Sequence, residues 1–245
     1  GPFLVAVSPR LVILFISELR WPELDLVFDP EARVGHERRA GEGPAGCGRG
    51  GEGAGGLPPM KGPVLRLISA SLLMGAASTA LWSFGGELVS QQLDWGPTGT
   101  GMLWTCIGAG GIAGAWAGTL IGRFGLDPVH RAFLGLMAAS ILAVGSGIAT
   151  PALALIGGAF FGAAYVMLTG VYLVWGTHAL PGRPATGLMI GFLTIAVGQT
   201  AGAPFFGFLM AGPGAGPAVI CFAVLALLAG LFRARSGTKR AAACL

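Results

Sequence analysis

Six long apolar blocks, separated by short polar connections, make up the chain between about residue 64 and residue 232. Each block has about 20 residues or slightly more, which at about 1.5 Å per residue is enough to cross a hydrocarbon core of roughly 30 Å. Strands of a membrane barrel would instead show short segments of alternating polarity. The pattern therefore predicts an all-α membrane protein with six transmembrane helices. The predicted blocks are Val64–Ser90, Thr98–Ile121, His130–Ile148, Pro151–Thr177, Pro184–Met210 and Ala215–Phe232.

The basic residues around these blocks fall in alternate connections. They precede the first block and follow the second, fourth and sixth, whereas residues 91–99, 149–152 and 212–216 contain no Lys or Arg. Such alternation is the positive-inside pattern of a multi-pass protein of an inner or plasma membrane, and it predicts that both ends of the membrane domain are cytoplasmic. The residues concerned are Lys61, Arg66, Arg123, Arg131, Arg183, Arg233, Arg235, Lys239 and Arg240.

The composition narrows the class of protein further. Hydrophobic residues make up 53% of the chain and charged residues only 11%, against about 25% charged in soluble domains. The net charge of +4 is distributed over helix ends and forms no single patch, so the partner is expected to be the lipid bilayer and not nucleic acid. The spacing of Cys47, Cys106, Cys221 and Cys244 fits neither a zinc site nor a disulfide framework, and no metal or cofactor is expected.

Residues 1–63 differ from the membrane domain at 64–233. The apolar start, residues 1–16, is too short to span a bilayer, residues 18–39 are densely charged, and residues 40–59 are Gly-rich. Such low-complexity sequence is expected to be disordered. It is either a remnant without a fold of its own or a linker or regulatory tail. Residues 234–245 are expected to form a basic cytoplasmic tail.

Small residues recur at helical spacing within three of the blocks. Without a hydrophobic drive between helices in lipid, close backbone approach through small residues supplies much of the packing. We therefore expect a closely packed bundle. The residues are Gly110, Gly114 and Gly118 in the second block, Gly135, Ala139, Ala143 and Gly147 in the third, and Gly187, Gly191, Gly198 and Gly202 in the fifth.

The connection after the second block carries a recognisable pattern. Gly118, Arg123 and Gly125 resemble the cytoplasmic loop signature of the major facilitator superfamily, in which a Gly and three further residues precede an acid and Arg-x-Gly. Gly122 stands where the acid is expected, and Asp127 falls where a basic pair usually follows. The resemblance implies a gating role for Arg123; otherwise it is an ordinary positive-inside arginine.

The fifth block carries a second such pattern. Gly198, Gly202, Pro204 and Gly207 resemble the Gly-x-x-x-Gly-x-Pro-x-x-Gly helix signature of the same superfamily. Glycine thins a helix and proline removes a backbone donor, so the segment is either a hinge or seal or simply membrane helix rich in Gly and Pro. Residues 93–96 are also similar to the short outer loop after the first helix of each half.

Members of this superfamily are twelve-helix transporters built from two six-helix halves, each with inverted three-helix repeats. The resemblance implies that this chain is the C-terminal half, with residues 1–63 in the place of the central loop. Its partner would be an N-terminal half or another copy of itself. The implied activity is transport of a small solute by alternating access, with a proton gradient as one driving force. The alternatives are a self-contained six-helix channel or half-size transporter, and a nonfunctional fragment.

Few polar side chains are predicted to lie at membrane depth, where they are costly and often functional. Glu87 is either a proton carrier or a solvated residue near a helix end, and Gln199 either bonds a neighbouring helix or lines a cavity. Tyr165 and Tyr172, seven residues apart, share a face; they either line a cavity with Trp82 or pack against lipid or a neighbour.

An enzyme is not expected. An intramembrane serine protease needs Gly-x-Ser-Gly with a partner histidine, and the nearest match, around Ser146, lacks the first glycine. His130 and His178 both fall at predicted cytoplasmic ends.

Overall fold

The computed structural model describes residues 62–234; the expectations for residues 1–61 and for most of the basic tail lie outside this range. Within it the regular structure is entirely helical, so the prediction of an all-α protein is confirmed. The elements are α1 (Gly62–Trp82), α2 (Gly85–Leu93), α3 (Pro97–Gly111), a 3₁₀ segment (Ile112–Trp116), α4 (Ala117–Phe124), α5 (Leu126–Gly145), α6 (Pro151–Ala179), α7 (Pro184–Ala211) and α8 (Ala215–Ala229).

Five helices of the described part are long and apolar enough to cross a membrane. They are α1, α5, α6, α7 and the run from Pro97 to Phe124 that joins α3, the 3₁₀ segment and α4. The sixth predicted span is present as α8, but its 15 residues reach only about 22 Å. These are the helices expected of a multi-pass membrane protein.

The first predicted block does not form one helix. The α1 helix ends at Trp82, a turn occupies Ser83 and Phe84, and α2 begins at Gly85. Two adjacent glycines at the start of α2 explain the break, because glycine is about 1 kcal/mol less favourable than alanine in a helix. The α2 helix ends at Leu93 and is followed by Asp94, whose left-handed φ of 52° is a conformation that aspartate adopts more readily than most residues.

Helix α6 packs against α3, α5 and α7, while α1 packs mainly against α7 and α8. Side-chain hydrogen bonds place the α4–α5 connection and the residues after α8 at one end of this bundle. Arg131 Nε, near the start of α5, donates to the Gly230 carbonyl after α8 at 3.2 Å, and Asp127 Oδ1 accepts from the Ala234 amide at 2.8 Å. Gly176 near the end of α6 contacts Gly187 near the start of α7, backbone to backbone.

The small-residue stripe of α7 is a packing surface along its whole length. A Cβ added to Gly187 would meet the Gly176 backbone, one on Gly198 the Leu72 carbonyl, and one on Gly202 the Ala76 backbone. In the other two stripes only some members are covered. Gly110 and Gly114 press against α6, whereas Gly118, Gly135 and Gly147 have no neighbouring atom of the described residues within 4 Å of such a Cβ.

The sidedness of the bundle can be tested with two engineered cysteines in a chain whose four native cysteines are replaced by serine. Gly182 lies between α6 and α7 and Gly96 precedes α3, and both have open space for a side chain. Because the basic ends are expected to be cytoplasmic, an impermeant maleimide on intact cells should label Gly96→Cys and not Gly182→Cys. Permeabilised cells should label both. Labelling of position 182 from outside would contradict the predicted orientation.

Candidate functional site

A cavity of about 450 Å³ lies where α1, α6 and α7 meet. Tyr165 is the central residue of α6, and Gln199 lies within two residues of the centre of α7. Polar groups therefore face this cavity from the middle of two long apolar helices. The lining residues are Thr79, Trp82, Ser83, Tyr165 and Gln199.

Gln199 links the three helices. Its Nε2 donates to Ser78 Oγ on α1 at 3.2 Å and to Tyr165 Oη on α6 at 3.1 Å. Thr79 Oγ1 donates to the backbone carbonyl of Gln199 at 3.3 Å. These bonds form because Gly198 and Gly202, on either side along α7, allow its backbone to approach α1 closely.

Aromatic rings form the apolar part of the cavity wall. The Trp82 ring centroid lies 5.1 Å from that of Tyr165 and 5.4 Å from that of Trp104. Trp82 also lines a second cavity, of about 470 Å³, on the α3 side, with Trp104 and the glycines Gly108, Gly111 and Gly162. Trp82 therefore lines both spaces.

The structure brings together three of the five residues that the sequence proposed for a solute or proton pathway, namely Trp82, Tyr165 and Gln199. Gln199 realises both of its predicted roles, because it bonds neighbouring helices and lines the cavity. Glu87 lies elsewhere. It is exposed in the first turn of α2 and accepts a hydrogen bond from Gln91 Nε2 at 2.6 Å.

Tyr172 does not line either cavity, although it is two helical turns from Tyr165. It is completely buried and donates its hydroxyl hydrogen to the Ala70 carbonyl on α1 at 3.1 Å. His130 Nε2 lies 2.9 Å from the same hydroxyl, and the Trp175 ring packs edge-on against the imidazole at 5.5 Å. Tyr172 thus packs against its neighbours, which was one of the two predicted alternatives.

His130 is fully buried, and within residues 62–234 its Nδ1 has no hydrogen-bond partner, so its predicted position at a helix end understated its burial. Its partner is Tyr172 and not Ser146. Sixteen residues separate His130 from Ser146 along and just past α5, a distance of about 24 Å along the axis.

The residues proposed for gating are spread over two places, and none of them lines the cavity at α1, α6 and α7. Arg123 lies in the last turn of α4 with its guanidinium 5.4 Å from the Phe124 ring centroid, and Gly125 turns the chain into α5 with a φ of 85° that favours glycine. Gly118 is exposed. On α7 the helix continues through Pro204, which is exposed, and Gly207 faces Phe84.

Sequence reasoning missed Thr79 and Ser83, which line the cavity from the end of α1 and the turn after it, and Ser78, which accepts a hydrogen bond from Gln199. Small hydroxyl residues are common in membrane helices and bond their own backbone, as Ser78 does to the Gly75 carbonyl at 2.7 Å. The one signal in the sequence was the run of hydroxyl residues near the end of α1. In the described residues no group of three or more His, Cys, Asp or Glu side chains is placed to hold a metal ion.

Comparison with protein-family models, with curated proteins and with solved structures finds no match for this chain.

Proposed function

We propose that this chain is the C-terminal half of a secondary transporter of the major facilitator superfamily type, which moves a small solute by alternating access. One observation carries the proposal: Tyr165 and Gln199 stand at the centres of two apolar helices and line a cavity with Trp82. Polar groups at membrane depth are costly and mark solute pathways. Transporter sites of this kind lie near the bilayer midplane.

The packing of the bundle suits such a mechanism. Helix α7 touches α1 and α6 through glycine, so the contact is close and carries few interlocked side chains that would resist sliding. A second unit, either an N-terminal half or another copy, would close the other side of the pathway. Large apolar side chains of α7 such as Met189, Phe192 and Phe208 are 70%, 60% and 72% exposed and face either lipid or that unit.

The α4–α5 junction would act as the gate at the basic end. Asp127 and Arg131 tie the start of α5 to the backbone after α8. The Arg123 guanidinium is exposed, in contact with the neighbouring Phe124 ring. It is free to cap helix carbonyls or pair with a carboxylate in only one of the two transport states.

Uptake by liposomes that contain the purified full chain, in which another copy can supply the second unit, tests the proposal. The liposomes would be incubated with a defined mixture of neutral and charged metabolites, with and without a pH gradient, and their contents identified by mass spectrometry. We expect saturable uptake of at least one solute, reduced about tenfold or more by Gln199→Leu, because the variant removes hydrogen bonds worth about 1 kcal/mol each.

The matched control for this experiment is Gln91→Leu, which makes the same change in an exposed side chain outside the cavity and should leave uptake unchanged. Stimulation by the pH gradient would support proton coupling. Uptake that does not saturate and is insensitive to Gln199→Leu would identify a channel. No uptake above that of empty liposomes would contradict transport by assembled copies of this chain.

A further inference from the structure

We infer that the cavity at α1, α6 and α7 selects an uncharged solute that combines a flat apolar or aromatic part with a hydrogen-bond acceptor and a hydrogen-bond donor, as in an aromatic amide. The inference rests on the proposed function, whose substrate class it names. It follows from the direction of the hydrogen bonds around Gln199, from the lack of charged side chains among the described lining residues and from the aromatic rings that line the cavity.

The Ser78 hydroxyl fixes the orientation of the Gln199 amide. A serine hydroxyl has a single hydrogen, and that of Ser78 points to the Gly75 carbonyl at 2.7 Å. Ser78 Oγ can therefore only accept from the Gln199 side chain, 3.2 Å away. The group that faces Ser78 must be the side-chain NH₂, and the side-chain oxygen of Gln199, Oε1, must point away from it.

The same reasoning determines what Tyr165 offers. The Gln199 amide nitrogen, 3.1 Å from Tyr165 Oη, uses its second hydrogen there, so Tyr165 accepts and keeps its own O–H hydrogen. In the part of the chain that the structure describes, neither that hydrogen nor Gln199 Oε1 has a protein partner. The cavity thus presents one carbonyl acceptor and one phenolic donor, with the Ser83 hydroxyl beside them.

The lack of charged side chains among the described lining residues argues against an ionic solute. Among the described residues, neither this cavity nor the adjoining one is lined by Asp, Glu, Lys, Arg or His. Removing a charged group from water costs several kcal/mol unless a partner of opposite charge is supplied. A solute without net charge avoids this cost and still satisfies the two exposed polar atoms.

The rings supply the apolar contact. Trp82 and Trp104 lie with their planes 32° apart, and the Tyr165 ring meets Trp82 edge-on at 72°. Flat faces at these angles suit a planar solute that stacks on one ring and meets the edge of another. The two cavities, of about 450 and 470 Å³, are within the size range of small-molecule sites.

Three probes of nearly the same shape test the inference: benzamide, benzoate and benzylammonium. Binding of each radiolabelled probe would be measured to the full chain in nanodiscs, with empty nanodiscs subtracted for partition into lipid. We expect benzamide to bind at least about tenfold more tightly than either ion. Tyr165→Phe and Gln199→Leu should each weaken benzamide binding about five- to tenfold, because each removes one free polar atom. Gln91→Leu, the same change at an exposed residue that lines neither cavity, should leave it unchanged.

Two results would overturn the inference. One is binding of benzylammonium as tight as that of benzamide, which would show an aromatic box for cations. The other is an absence of benzamide binding at millimolar concentration in protein that remains folded by circular dichroism. Failure of the proposed function is distinguishable from both. Benzamide binding sensitive to Gln199→Leu, without uptake of any solute, would preserve the site and reject transport, whereas saturable uptake of a charged solute would do the reverse.

Discussion

Gly198→Ala is expected to destabilise the bundle, although alanine is the better helix former. A Cβ at position 198 would meet the Leu72 carbonyl oxygen and lie 2.9 Å from the Ala76 amide nitrogen. Both are backbone atoms of α1, which cannot rotate aside as a side chain can, so α7 must move outward. Overpacking of this kind costs about 1–3 kcal/mol, and helix propensity returns at most about 1 kcal/mol.

The matched control is Gly135→Ala in the interior of α5. No atom lies within 4 Å of a Cβ at this position, so the substitution gains propensity without a clash and should leave stability unchanged or raise it by up to about 1 kcal/mol. The free energy of unfolding of the full chain would be measured in mixed detergent micelles by circular dichroism. If the two alanines had the same effect, the close α1–α7 contact would be wrong.

The same displacement has a consequence for the cavity. Thr79 on α1 donates to the backbone carbonyl of Gln199, and Ser78 accepts from the Gln199 side chain. A gap between α1 and α7 therefore lengthens both bonds. Gly198→Ala should therefore weaken benzamide binding more than Gly135→Ala, even though neither residue lines the cavity.

The helices themselves were largely predictable. Apolar length is a direct requirement of the bilayer, and proline at the first helical position fixed the starts of α6 at Pro151 and α7 at Pro184. Hydropathy averaged over a block does not detect a local break in the backbone. It therefore missed the turn at Ser83 and Phe84, the 3₁₀ segment between α3 and α4, and the early end of α8 at Ala229.

Single residues of the cavity were predictable from the sequence, but the way in which they come together was not. Gln199 and Tyr165 were identifiable because polar groups in apolar helices are rare, but their meeting depends on how α6 and α7 are rotated about their axes. That rotation is set by glycine contacts with α1 and α6 whose partners lie far away in sequence, such as Gly198 with Leu72 and Gly187 with Gly176. Helical spacing gives the face of one helix and not the neighbour that covers it.

Tyr172 shows most clearly that helical spacing does not predict which neighbours a residue contacts. Two turns separate it from Tyr165 on α6, yet its hydroxyl bonds Ala70 and His130 instead of Gln199. Because neighbouring helices cross, one face meets different residues at each depth. One site on that face opens to a cavity, and the other is a closed polar contact between three helices.

The contact of Tyr172 with Ala70 and His130 predicts that substitutions of Tyr172 and of His130 have unequal effects on stability. The single hydroxyl hydrogen of Tyr172 goes to the Ala70 carbonyl at 3.1 Å, so the hydroxyl accepts from His130 Nε2–H at 2.9 Å. Tyr172→Phe removes that acceptor. It leaves a buried N–H unpaired on a ring whose Nδ1 already lacks a partner, at a cost of about 1–3 kcal/mol.

His130→Phe should cost less, although it removes the polar residue that is rarer in membrane helices. Tyr172 keeps its bond to Ala70 in this variant, the phenyl ring retains the edge-on packing against Tyr172 and Trp175, and the unpaired Nδ1 disappears. We expect a loss of under about 1 kcal/mol, or a gain. Unfolding in mixed micelles, as for the glycine variants, provides the measurement.

The double variant separates this explanation from a simple weakening of the packing. If the cost of Tyr172→Phe is the unpaired N–H of His130, then adding His130→Phe removes the group that is penalised, and the double variant should be more stable than Tyr172→Phe alone. If the two substitutions instead weakened the packing independently, their costs would add, and the double variant would be the least stable of the three. A double variant that is the least stable, or a His130→Phe that costs more than Tyr172→Phe, would contradict the unpaired N–H as the cause. Recovery in the double variant would establish that Tyr172 serves mainly to satisfy His130 at the junction of α1, α5 and α6.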